Sequence, residues 1–152
     1  MNQLFFAQKA FIVWDRHILL IRKSDEDPDH PGRWEVPGGR MEFGEDVEAH
    51  LQREVREEVG LEIEAGRPFH IWQWRLHRTV NGEPVDIQVV AVARLCTPLS
   101  FEISTENRVE GDFLDEVEWV PLDRVQGYTF IANMQPVVES FLQLPELQPH
   151  TS

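Results

Sequence analysis

Gly39 to Leu61 reads GRMEFGEDVEAHLQREVREEVGL. From Glu45 to Val59 its apolar residues recur at helical spacing: Val47, Leu51, Val55 and Val59 fall on one stripe at about 100° per residue. Gly60 closes the helix as a C-terminal glycine does. Glu45 lies at the helix start, where the dipole favours an acid. Glu54, Glu57 and Glu58 stand at i, i+3 and i+4, so they share a face beside the apolar stripe. Two carboxylates about 4 Å apart repel by roughly 1 kcal/mol in water, and by several times that in a low-dielectric cleft. A fold gathers three of them at no cost only where cations compensate. Mg²⁺ prefers such oxygen ligands, and Arg53, four residues before Glu57, neutralises the cluster from the side. The run REVREE also suits an ordinary solvated acidic face, so the spacing of the whole segment has to separate the two readings.

That spacing is G-x5-E-x7-R-E-U-x-E-E-x-G-U, with U apolar, filled by Gly39, Glu45, Arg53, Glu54, Val55, Glu57, Glu58, Gly60 and Leu61. At background residue frequencies a chance match in this chain has odds of roughly one in ten million, which sets the solvated-face reading aside. The segment resembles the signature of the Nudix hydrolase family at every fixed position. The resemblance implies a Nudix fold, an α/β domain with a mixed β-sheet sandwiched between α-helices. It implies that Glu54, Glu57 and Glu58, with the carbonyl of Gly39, hold Mg²⁺, with Mn²⁺ as a substitute. It implies that Arg53 and Glu45 orient the cluster, and that a metal-activated water attacks one phosphorus of a nucleoside diphosphate linked to a group X. Glu57 is the residue named to take the water's proton. Glu110, Asp112 and Glu116 are candidates for a further acidic ligand from a later loop, or are solvated loop acids.

The flanks agree with that fold. Phe5–Trp14 and His17–Arg22 are apolar and β-branched and read as a hairpin turning at Trp14-Asp15-Arg16. Ser24–Gly32 is a polar Pro/Gly loop, and residues 34–36 form a short strand stopped by Pro37-Gly38-Gly39. Leu61–Ile63, Phe69–Leu76 and Val85–Cys96 read as strands, with Asn81-Gly82 turning between the last two. Val117–Val120 is another strand. Asn133–Leu142 is a second helix, its regular part confined by Pro136. Strands on both sides of one central helix, with a second helix at the end, suggest a mixed sheet covered by helices. Residues 1–144 are expected to form one domain, followed by a loose tail from Pro145 to Ser152.

The chain has 152 residues, enough for one domain with its own core. A single cysteine, Cys96, points to a reducing compartment. The first ten residues lack the basic-then-apolar pattern of a signal peptide, and no apolar run reaches the roughly 18 residues of a membrane span. The expectation is therefore cytoplasmic. A formal net charge of −13 disfavours duplex nucleic acid, which needs a basic surface to displace counterions. An anionic nucleotide could still bind through intervening cations, although acidity by itself also serves solubility.

Substrate clues are looser. Arg22 and Lys23 end an early strand and Arg33 follows the loop. Similar positions in the family contact phosphates, and basic surface residues are also commonplace. Trp72 and Trp74 share one strand face, with Phe69 nearby, and suit either base stacking or packing in a core or a dimer. Phe130 to Val138 resembles the F-P-P-A-N-E-P-V-I run of MutT-type triphosphate pyrophosphohydrolases, with one residue inserted before the proline. Asn133 then either reads a purine edge or caps the last helix. Marks of the ADP-ribose and dinucleoside polyphosphate enzymes, a proline near position 76 and a tyrosine slightly beyond, are absent. The expected substrate is thus a nucleoside triphosphate, oxidised forms included; ADP-ribose, nucleotide-sugar or dinucleotide hydrolysis, or nucleotide sensing without turnover, are the alternatives. A diphosphate isomerase on this fold would need a cysteine in the site, and Cys96 sits in an apolar strand where a thiol is inert. Family analogy adds a possible homodimer.

Overall fold

A computed structural model describes residues 1–109 and 111–149. The central strand is β1 (Asn2–Trp14), joined to β2 (His17–Lys23) by the two-residue turn Asp15-Arg16, both at positive φ. Short strands β3 (Trp34–Glu35) and β4 (Gly38–Arg40) precede the helix α1 (Val47–Val59). The strands β5 (Ile63–Val80) and β6 (Glu83–Pro98) form a long hairpin, followed by β7 (Leu114–Pro121) and the helix α2 (Gln135–Leu142). The sheet runs β3-β2-β1-β6-β5, with β4 on β1 and β7 on β2. Among the strands of the described residues, β1 and β6 alone pair in parallel, from Asn2 opposite Asp86 to Ile12 opposite Cys96, with one isolated parallel bridge between Trp34 and Phe130. The expected α/β arrangement, a mixed sheet between helices, is the one observed.

Strands β1 and β2 read as near-continuous apolar runs because both faces of the sheet are covered there. Phe11, Ile18 and Leu20 pack on one side with Val137, Val138 and Phe141 of α2. Ala10, Ile12, Leu19 and Ile21 pack on the other with Leu51, Val55 and Val59 of α1. No helix among the described residues is long and apolar enough to cross a membrane.

Four sequence expectations shift. The helix begins at Val47, not Glu45, because Asp46 is its N-cap: one carboxylate oxygen accepts the N–H of Glu48 at 2.9 Å and of Ala49 at 3.0 Å. Val47 leaves the apolar stripe and is 45% exposed, whereas Leu51, Val55 and Val59 are fully buried. Each four-residue step turns the side chain by about 40°, and at the first turn the buried position falls to His50 instead. The strands expected at 61–63 and 69–76 are one strand, β5, with irregularities around Pro68, a position where a strand at the sheet's edge tolerates proline. The tail from Pro145 is docked rather than loose as far as Gln148: Pro145–Leu147 form a 3-10 turn, Leu147 is buried, Arg16 Nη1 donates to its carbonyl at 3.0 Å, and Gln148 Nε2 donates to the Leu142 carbonyl at 3.0 Å.

Candidate active site

The site is assembled where β4 lies against β1 in front of α1. Gly38 and Gly39 pair with Lys9 and Gln8 of β1. A Cβ on Gly38 would sit 2.1 Å from the Gln8 carbonyl, and one on Gly39 would sit 2.8 Å from the carboxylate of Glu54. Two glycines therefore let the strand press onto β1 while α1 lays an acid directly on the loop backbone.

The glutamates on α1 are held differently. Glu58 is 6% exposed, and its Oε1 accepts the Gly38 N–H at 2.9 Å. Burial pushes its carboxyl well above the ordinary range, against the pull of Lys9. Burial likewise raises Glu54 to about 7, against Arg53 and with the repulsion of Glu57. Glu57 accepts from Arg53 Nη1 at 3.0 Å. Arg53 also forks onto Glu45, Nε to Oε2 at 2.8 Å and Nη2 to Oε1 at 2.9 Å, and stands 3.3 Å from Glu54. That bidentate bond, with the Glu42 N–H, holds Glu45 at about 2, and the same bond raises Arg53 above its usual range.

The sequence brings Gly39, Glu45, Arg53, Glu54, Glu57 and Glu58 into this one cluster. Their carboxylates do not converge: among the described residues, no three acidic, histidine or cysteine groups are gathered at coordinating distance, since Glu57 is turned to Arg53 and Glu58 to Gly38. The donor set still suits a hard divalent cation. Two carboxylates raised by burial stand beside the Gly39 backbone, and oxygen ligands of this kind are what Mg²⁺ takes up.

Next to the cluster opens a cleft of about 330 Å³ lined by Lys9, Lys23, Arg40, Trp74, Arg78 and Asn133, among others. Lys9 and Lys23 are both held by Glu35, at 2.6 and 3.5 Å, and Lys23 also donates to the Asp112 carbonyl at 2.9 Å. Burial acts to raise the Glu35 carboxyl, but Lys9 and Lys23 overcome it and hold the group below its ordinary range.

The substrate candidates divide. Lys23 and Asn133 line the cleft; Arg22 does not, being turned to Asp115 at 2.6 Å and Asp25 at 3.2 Å. Arg33 is exposed outside it. Asn133 caps nothing: it lies in the 3-10 turn Ala132–Met134, and α2 starts from Met134 with no side-chain cap. Phe69 packs edge-on against Phe11 at 5.0 Å in the core, and Trp72 is packed there too, while Trp74 faces the cleft. Of the later acids, Asp112 is near enough to raise Glu54, Glu116 is exposed on β7, and Glu110 lies outside the described residues. Cys96 is packed under α1, where burial pushes its thiol up to about 12.

Lys9, Glu35, Arg40 and Arg78 were not singled out from sequence. Lys9 carried a usable signal, a charge inside the apolar run AQKAFIV; the others become visible only when the strands are paired.

The match to known proteins follows the same outline. The model of the family described as NUDIX domain matches residues 7–141. Nucleoside triphosphatase NudI of Enterobacter sp. (strain 638) is 45% identical over 53 residues, covering 34% of this chain and 38% of that protein. Putative 8-oxo-dGTP diphosphatase 2 of Mycobacterium tuberculosis (strain CDC 1551 / Oshkosh) is 44% identical over 45 residues, 30% of this chain and 32% of that protein. The aligned segments thus span about a third of these relatives. The crystal structure of MutT NUDIX hydrolase from Burkholderia pseudomallei superposes with a TM-score of 0.67 at 28% identity, covering 90% of this chain and 97% of that one. With a match across nearly the whole described fold and every fixed position of the glutamate motif filled, this chain belongs to the NUDIX domain family.

Proposed function

We propose that the protein hydrolyses a diphosphate linkage in a nucleoside triphosphate, oxidised forms included, with Mg²⁺ as cofactor and Mn²⁺ as a substitute. The observation that carries the reading is one juxtaposition: Lys9, within reach of the charges of Glu58 and Glu54 on a helix face braced by Arg53, also lines a cleft together with Lys23. Glu54, Glu57, Glu58 and the Gly39 carbonyl would hold the cation. When bound, it screens the phosphate charge and lowers the pKa of water.

The chain's own residues do the rest. Lys9, Lys23 and Arg40 bring positive charge to the phosphates of a substrate that an acidic protein would otherwise repel. Arg53, fixed bidentately by Glu45, holds Glu57 in place. Glu57 takes the proton as water adds to phosphorus and the bridging P–O bond breaks. Trp74 offers a face for the base, and the Asn133 amide offers both a donor and an acceptor to its edge. Two relatives, a nucleoside triphosphatase and a putative 8-oxo-dGTP diphosphatase by name, favour this substrate class over dinucleotides.

The test is a panel of ordinary and oxidised nucleoside triphosphates, ADP-ribose and dinucleotides with Mg²⁺, scored by product mass. Release of pyrophosphate or phosphate from a triphosphate is expected. No turnover of any member, with nucleotide binding retained, would reject hydrolysis in favour of a sensing domain.

A further inference from the structure

His50 lies on the inner face of α1, one turn before Glu54, and is fully buried. An imidazole there leaves two nitrogens to satisfy. Its Nδ1 is 2.9 Å from Gln8 Nε2. Gln8, 2% exposed on β1, has its amide orientation fixed from both ends. Its Nε2 donates to the Val47 carbonyl at 2.7 Å, and its Oε1 accepts from Arg94 Nη1 at 3.3 Å. Arg94 is itself anchored, to Glu48 at 2.8 Å and to the Gly66 carbonyl at 2.9 Å. The guanidinium has no lone pair to offer and the carbonyl has no proton, so the amide cannot be flipped without losing both contacts. Gln8 therefore presents N–H to Nδ1, which must be the acceptor. The proton of neutral His50 then sits on Nε2.

That Nε2 has no hydrogen-bond partner. Glu54 Oε1 lies 4.0 Å from it, about one ångström beyond a hydrogen bond, and Glu45 and Arg53 also act on the ring by charge. A buried N–H without an acceptor is a standing cost in a folded chain. Here it stands near the same Glu54 oxygen that Arg53 Nη2 approaches at 3.3 Å, and the Gly39 and Arg40 carbonyls, close enough to favour the protonated ring, are the competing acceptors. Metal-binding side chains are commonly oriented by such buried donors behind them.

We propose that His50 is a positioning residue: Gln8 holds it as the Nε2-protonated tautomer, and it donates a hydrogen bond to Glu54 when that carboxylate takes up a divalent cation. The chain Arg94–Gln8–His50–Glu54 then ties β6, β1 and α1 to one ligand and selects one orientation of its carboxylate. The inference rests on the metal reading of the glutamate trio given above.

Two measurements test it. Long-range ¹H–¹⁵N correlation on the wild-type apo protein, with the His50 ring assigned through its connection to the sequentially assigned backbone, should show Nδ1 as the unprotonated nitrogen. A proton on Nδ1 overturns the proposal without any variant having to fold. Mn²⁺ affinity, followed by electron paramagnetic resonance of the free ion, should fall roughly ten- to a hundredfold in His50→Phe. It should recover most of the way in His50→Gln, whose amide can place a donor near Nε2, while His50→Phe lowers the apo melting temperature by several degrees because a buried Gln8 N–H loses its acceptor. Wild-type affinity in His50→Phe overturns the role of His50 while leaving the trio as the metal site. Absence of Mn²⁺ uptake by the wild-type chain overturns the metal reading and this proposal together.

Discussion

At the scale of single residues, Glu58 combines two demands that pull apart. Its Oε1 is tied to the Gly38 N–H, and the group is buried. Burying a carboxylate costs more than burying an amide of the same shape, and a glutamine oxygen can accept the same N–H. Glu58→Gln should therefore melt at or above the wild-type temperature without metal, while turnover falls by about a hundredfold or more, roughly 2.7 kcal/mol of barrier. Calorimetry and steady-state kinetics on one preparation separate the two effects, and full turnover on the true substrate would remove Glu58 from the chemistry. Cys96 makes the opposite case, a nucleophile with nothing to do. Burial raises its thiol from 9.0 to about 12, so the fold favours the protonated form. That contribution to stability is complete below pH 9 and is lost as pH rises toward 12. Alkylation with iodoacetamide at pH 8 should be negligible until denaturant is added. Rapid labelling of the native protein would contradict the packing described for it.

At the scale of elements, β4 is the joint between sheet and helix, and its two glycines fail differently. On Gly38 a Cβ meets the rigid Gln8 backbone at 2.1 Å, at φ 148°. Gly38→Ala should cost about 3 kcal/mol of stability, a size typical of clash and backbone strain. On Gly39 the obstacle is the movable end of Glu54. Gly39→Ala should keep most of its stability and lose about tenfold or more in kcat. Denaturant melts and rates for both variants give the comparison, and equal stability losses would show that Gly39 serves the fold alone. The two positions also show what a sequence can and cannot convey. The spacing of Arg53, Glu54, Glu57 and Glu58 is local, set by 3.6 residues per turn, so their common face was readable directly. The β1–β2 turn and the Asn81-Gly82 turn were readable for the same reason. Lys9 and Gln8 enter the site only through the pairing of β4 on β1 and of β1 on β6. Those contacts span from about 30 to 90 residues, and no local periodicity encodes them. His50 even mimics an apolar position, since it is the residue that replaces Val47 on the buried face. Arg22 points away from the cleft for a related reason: adjacent strand residues point to opposite faces, and of Arg22 and Lys23 it is Lys23 that lines the cleft.

At the scale of the whole molecule, a chain of net charge −13 sets Lys9, Lys23, Arg40 and Arg78 against Asp27, Asp29 and Glu35 around one opening, and its longest described element lines that opening. Trp74, Leu76 and Arg78 alternate along β5 and all line the cleft. Arg78 Nη2 then meets Asp29 Oδ2, on the Ser24–Gly32 loop, at 2.7 Å. Both side chains are 43% exposed, and an ion pair so open to water contributes no more than about 1 kcal/mol. Stability is therefore a poor reason for the contact. Its position, joining the β5–β6 hairpin to the loop that carries the cleft's other wall, suits control of the cleft's width. Arg78→Ala should leave the melting temperature within about 3 °C of wild type and raise KM for the nucleotide about fivefold, equivalent to roughly 1 kcal/mol, with kcat little changed. That result alone could come from losing a cation near the phosphates. Asp29→Ala separates the causes, because it breaks the latch but keeps the cation and removes a negative charge from the wall. If only charge mattered, its KM would fall. If the hairpin must be held against the loop for Trp74 to lie over the base, its KM rises as in Arg78→Ala, and the double variant adds little to either change. The expected outcome is the second, and a lowered KM in Asp29→Ala would reduce the contact to an incidental surface pair.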